Sequence, residues 1–288
     1  MAHQIHSSEN VAKALLRLLR RDLAAARREL NGAGSREQRI HRVRQRLKRS
    51  RTLLRVLEPA FGERAVGLRR RLAEAARILA GARDADVVAA SARELADAEG
   101  GEEAGFSRVA VALDAEAILA HRERTPLRDV AARFRDAIAE VETFTPDFDG
   151  RAILAAALRQ AYARGRRSMT KAESTLSTPD LHRWRKAVKD LWHLVRLARK
   201  RLPARVVKTG TRLDRLGEAL GFGNDAALLA EKLALSPTGD PSLMRQLALI
   251  ARRRNALEAE AFALGAELYR RKPKAFAERL ELDRRPKK

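Results

Sequence analysis

The sequence predicts an all-α protein made of two pseudo-symmetric helical bundles from an internal duplication. Three observations carry that expectation. Residues 41–86 recur at 182–227 at a constant offset, with 13 identities in 46 positions and no gap, where this Ala-, Arg- and Leu-rich composition gives about four by chance. Apolar residues recur at helical spacing along the chain, and no stretch alternates as a strand would. The best breakpoint, Thr143 to Gly150 with Pro146 and Asp147, lies where a duplication needs one. Residues 1–145 are therefore expected to form the first bundle, and residues 146–288 the second with a basic C-terminal tail.

Each element has a local reason. Ser7 or Ser8 is the expected cap of a helix from about Glu9 to Leu30, closed by Asn31-Gly32-Ala33-Gly34. Ser35 and Gln38 make a capping box for a second helix, which Pro59 is expected to follow. A third helix spans about Ala60 to Leu79, and the turn Ala82-Arg83-Asp84 leads to a fourth, with Asp84 read as an N-cap. Its counterpart Asp225 sits in Gly221-Phe222-Gly223-Asn224-Asp225 and is read the same way. After the breaker Glu99 to Glu102, helices are expected over 104–122 and 126–142.

The second half opens with a basic helix over 151–173. Thr178-Pro179 starts the next, which ends near Leu202-Pro203. Helices over 204–220 and 226–235, a loop over 236–241 and a long helix to about Arg271 complete it, before a short tail from Lys272.

Composition narrows the function. With 288 residues and 45% hydrophobic content the chain can build a core. Sixty Lys and Arg against 37 Asp and Glu leave a net charge of +23, which favours nucleic acid, polyphosphate or an anionic surface as partner. The excess is uneven: Asp84 to Asp149 holds 16 acidic and 7 basic side chains, so the remainder carries +32. A focused binding face explains that better than a uniform basic coat. Cysteine is absent, which removes disulfides, thiolate metal sites and a Cys nucleophile and fits a reducing compartment. Met1 to Asn10 has no leader pattern and no apolar run reaches membrane length, so a cytoplasmic protein is expected.

The repeated stretch supplies the candidate site. At 100° per residue, His41, Arg44, Lys48, Arg51 and Arg55 share one helix stripe beside an apolar one of Ile40, Val43, Leu47, Leu54 and Leu57. The copy places His182, Arg185, Lys189 and Arg196 beside Leu181, Trp184, Val188, Leu191 and Val195. A merely solvated face has no reason to repeat His-Arg-x-Arg-x-x-x-Lys, histidine included. Lys186 joins the set, although Gln45 stands in its place in the first copy, and Trp192 replaces Arg51 in the second. Arg42 and Arg183 belong to the motif but lie about 100° off the stripe, so structural salt bridges are their alternative. Arg71, Arg212 and Arg166 are second-rank candidates on adjacent helices.

This doubled motif, with an Asp-containing turn after the next helix in each half, resembles the CHAD family of conserved-histidine α-helical domains over roughly residues 9 to 270. The resemblance implies two pseudo-symmetric bundles, binding of inorganic polyphosphate or a similar polyanion in a basic cleft between them, and a cytoplasmic address at polyphosphate granules. The residues fit such a ligand. Arg offers a planar fork for phosphate oxygens, Lys a mobile point charge, and His a donor decided near neutrality. His3, His6, His121 and His193 are read as ordinary hydrogen-bonded residues, with no metal-ligand spacing and no cofactor expected.

Nucleic-acid backbone binding is the nearest alternative, opposed by 4% aromatic content and the lack of any recognisable RNA- or DNA-binding signature. A phasin-like coat on storage granules is a third reading. An enzyme is not expected: there is no Glu-x-Glu-x-Lys strand, no Walker loop and no nucleophile–base pair. No membrane partner is expected, and the sequence sets no oligomeric state.

Overall fold

The computed structural model describes residues 3–79, 81–98, 100–122, 127–235 and 242–281, and among these it contains α-helices, one 3-10 turn and no strand. The first half supplies α1 (Val11–Leu30), α2 (Arg36–Phe61), α3 (Glu63–Ile78), α4 (Gly81–Ala96), α5 (Phe106–Arg122) and α6 (Leu127–Glu142). The second supplies α7 (Gly150–Thr175), α8 (Thr178–Leu197), the short α9 (Ala204–Val207), α10 (Thr209–Ala234), α11 (Leu243–Leu268) and α12 (Pro273–Glu278).

Helix α1 packs on α2 and α6, while α7 packs on α8 and α12. Helix α2 continues onto α3, and α8 onto α10; α4 with α5 and α10 with α11 form a second layer joined through α4 and α10. The main hydrophobic core runs from Ile5 to Leu280 and draws on both sides of the Thr143–Gly150 breakpoint. A smaller core, with Val88, Phe106, Leu113, Leu229 and Ile250, closes the end built by α4, α5, α10 and α11. Helix α1 is covered from two sides, so Leu15, Leu16, Leu18, Leu19 and Leu23 are all buried, more than one stripe of a surface helix would be.

The segment before α1 is tied to the far end of α8. Ile5 is fully buried and its N–H donates to Leu197 O at 2.9 Å. Arg201 donates to the carbonyls of His6 (3.1 Å) and Glu9. His3 Nε2 lies 2.6 Å from the buried Asp22, which also receives Arg46 of α2 at 3.2 Å.

Several boundaries differ from the sequence expectation. Asn10, not Ser7 or Ser8, caps α1 by accepting from Lys13 N at 3.0 Å. The Ser35–Gln38 capping box forms as expected. Helix α2 runs through Pro59 to Phe61 and stops at Gly62, whose φ of +53° no helical residue adopts. Pro59 sits in the last turn, and the N–H it lacks deprives the helix of one bond, to the carbonyl four residues before it. Helix α8 ends at Leu197 rather than near Leu202.

The largest departure is α10. Gly221 to Asp225 was expected to be a turn with a capping Asp225, yet the helix passes straight through them. The glycines answer a packing need instead: a Cβ at Gly221 would meet Arg185 Nη2 at 3.1 Å, and one at Gly217 would meet Lys189 Cε at 2.7 Å. The parallel capping role of Asp84 concerns a side chain outside the described residues. The chain after Lys272 forms α12, with Phe276 stacked on Tyr162 at 4.1 Å, so the tail is packed as far as Glu281.

Candidate functional site

Helices α2 and α8 present the two basic strips and touch each other, with α7 against both. Trp184 anchors α8: it is fully buried and stacks on Phe262 of α11 with ring centroids 5.1 Å apart. That fixes the helix's rotation and turns the stripe of His182, Arg185 and Lys189 toward α10. Val43, Leu47, Leu54 and Leu57 do the same for α2.

The strips meet around His193. The charges of Lys48 and Arg49 from α2 and of Lys189 and Arg196 from α8 all act on its ring. Burial first, then these cations, push the imidazole down to about 3, so it is neutral at physiological pH. Beside it, Trp192 carries Arg196 over its ring at 4.4 Å and Lys189 at 4.9 Å. The residue that replaces Arg51 in the second copy is therefore a slab that holds two cations side by side.

One carboxylate ties three helices at this crossing. Asp190 of α8 pairs with Arg55 of α2 and lies 3.8 Å from Arg164 of α7. Burial pushes the guanidinium groups of Arg51 and Arg164 below their ordinary value, Arg55 pushes the same way, and Asp190 offsets both. They remain cations, because arginine does not deprotonate in proteins.

The histidines of the motif lie at the outer ends of the strips, His41 about 12 Å along the α2 axis from Arg49. Gln45 Nε2 is 2.8 Å from His41 Nε2. His182 is half-buried, and its Nδ1 lies 2.9 Å from Asn224 Oδ1 of α10. Burial and then Lys186 lower the His182 pKa, with Asn224 opposing them. Arg44 donates to Ala76 O of α3 at 3.0 Å, and Lys189 lies 3.5 Å from Asp214. Lys48, Lys186 and Arg196 are exposed.

Other candidates sit elsewhere. Arg42 pairs with Glu29 and donates to Ala33 O at 2.8 Å, and Arg183 pairs with Asp180 of its own helix; both are the structural bridges their angular offset allowed. Arg71 pairs with Glu140 of α6, and Arg212 lies 3.7 Å from Glu267 of α11. Arg166 acts on Tyr162, away from the crossing.

Residue-by-residue reading missed Arg49, Arg164, Asp190 and the placement of His193. Asp190 carried a signal, since at the repeat offset it stands opposite Arg49 and is the one acidic departure in a basic strip. Among the described residues no group of three or more His, Asp or Glu is placed to hold a metal ion. None of the described helices is long and apolar enough to cross a membrane.

The CHAD domain model matches residues 8–234. The chain belongs to the CHAD family. Its fold is similar to the CHAD domain from the plant Ricinus communis, at 17% identity and a TM-score of 0.56 over 100% of this chain and 97% of that one. PptA from Streptomyces chartreusis is similar to the same degree, at 18% identity and a TM-score of 0.56 over 93% of this chain and 100% of that one. No curated protein matches. At such identities the likeness is one of fold, and the CHAD assignment rests on the family model.

Proposed function

We propose that this CHAD domain binds inorganic polyphosphate, or a closely similar polyanion, in a cleft between the basic strips of α2 and α8, and does not turn it over. The carrying observation is the gathering of cations where α2 and α8 touch: Arg196 and Lys189 lie over the Trp192 ring at 4.4 and 4.9 Å, and their charges reach His193 together with those of Lys48 and Arg49. Cations gathered from two helices at one crossing suit a ligand with closely spaced negative charges. The CHAD family is associated with polyphosphate, which fits a site rich in charge-assisted donors.

The two-bundle reading, residues 1–145 and 146–288, is supported by matching partners: α1 with α2 and α6, α7 with α8 and α12. Within it, the strips are copies brought together across a pseudo-twofold axis, and a cytoplasmic location at polyphosphate granules follows from the ligand.

The test is filter binding at fixed salt with polyphosphate, RNA and DNA as competitors. Wild type should prefer polyphosphate, and Lys48→Glu with Lys189→Glu should weaken it about 100-fold or more while circular dichroism stays helical. Binding that survives the double reversal, or nucleic acid that polyphosphate fails to displace, overturns the reading. Purified protein with Mg²⁺ or Mn²⁺ should release no phosphate from tripolyphosphate.

A further inference from the structure

On another face, a concave space of about 130 Å³ opens between α7, α9, α10, α11 and α12. None of its lining residues belongs to α2 or α8. Five arginines line it, Arg205, Arg212, Arg270, Arg271 and Arg279, against one carboxylate, Glu267. Arg205 pairs with Glu281, and Arg212 lies 3.7 Å from Glu267. Among the described residues no ion pair engages Arg270, Arg271 or Arg279.

The floor is built rather than incidental. Tyr162 stacks on Phe276 at 4.1 Å and meets Tyr269 edge-on at 5.2 Å. Its hydroxyl lies 3.0 Å from both Leu268 O and Arg271 O, and donating there holds the end of α11 in place. The charges of Arg166, Arg271 and Arg279 fall on that hydroxyl, so the cations converge on the floor. A rigid aromatic base under several guanidinium forks suits a compact oxyanion, and the volume is that of about ten water molecules.

We propose that this cavity is a second anion site, separate from the α2–α8 strips, that takes a small phosphate anion of orthophosphate to pyrophosphate size. Planar forks can grip two oxygens of one phosphate, which the mobile ammonium of a lysine cannot do. The volume admits one or two phosphate groups.

The site is tested by isothermal titration calorimetry of the full chain with inorganic pyrophosphate, in the Lys48→Glu, Lys189→Glu background. That background disables the strips, so this result is read independently of the polyphosphate reading. Saturable binding with one site per chain is expected. Adding Arg271→Ala and Arg279→Ala should weaken it at least tenfold, and Arg271→Lys with Arg279→Lys should recover part of the loss. Helical circular dichroism and an unchanged melting temperature certify each variant. No saturable heat in the strip-disabled protein, equal heat with sulfate at the same ionic strength, or affinity untouched by the alanine pair would overturn the proposal.

Discussion

His193 is a histidine kept neutral by burial and then by the cations around it, and that has a measurable sign. Its folded pKa of about 3 lies below the ordinary value of about 6.5 expected in the unfolded chain. Between those values the unfolded chain binds the extra proton, so the contribution to stability is complete above about pH 6.5. It is lost as pH falls toward 3, at no more than about 1.4 kcal/mol per pH unit. Replacing His193 with Gln should flatten the decline in urea-unfolding free energy between pH 6.5 and 4; an equally steep decline would place the acid sensitivity elsewhere.

His182 points the other way in binding. Its Nδ1 donates to Asn224, which leaves Nε2 as the nitrogen that takes a second proton. Burial and Lys186 lower its pKa in the free protein, and a bound phosphate would raise it. Polyphosphate affinity should therefore strengthen as pH falls from 8 through the bound-state pKa and level off below the free-state one. The wild-type minus His182→Gln difference in affinity against pH isolates this component, and a flat difference would remove His182 from the site.

At the scale of elements, α10 shows what a sequence pattern leaves open. The repeat, the Ser35 cap and the strips on α2 and α8 could all be read from spacing, because helical periodicity and capping are local. Gly221 could not, since a glycine that breaks a helix and one that admits a neighbour look alike in one dimension. Only the approach of Arg185 onto α10 separates the two. Asp190 as the shared partner of Arg55 and Arg164 was hidden for the same reason, being a meeting of residues 135 and 26 positions away.

The continuous helix makes an opposed pair of expectations. A Cβ at Gly223 meets nothing within 4 Å, so Gly223→Ala should stabilise the protein by up to about 1 kcal/mol, as in any helix interior. A turn at that position would instead be destabilised, which thermal melts distinguish. Gly217→Ala must displace the end of Lys189, and should weaken polyphosphate binding more than it changes the melting temperature.

For the whole molecule, charge is sorted by location. The acidic stretch from Asp84 to Asp149 lies largely in α4, α5 and α6, where it meets cations brought by other elements. Glu94 faces Arg253, Glu116 faces Lys232, and Glu140 faces Arg71. Such exposed pairs contribute little each, yet their placement leaves the excess positive charge to the strips and the arginine-lined cavity. Log affinity for polyphosphate should fall linearly with log salt as counterions are released. Charge reversal at Arg253 should leave that slope unchanged, while Lys48→Glu should make it shallower.

The amino-terminal anchoring of Ile5, His6 and Glu9 on Leu197 and Arg201 has a practical corollary. Proteolytic trimming up to Glu9 removes no proposed phosphate ligand, yet it would free the Leu197 carbonyl of α8 and leave Arg201 without its docking points. Amide hydrogen exchange near Leu197 should then quicken, so an epitope tag or cleavage scar joined at that end belongs among the variables of any affinity measurement.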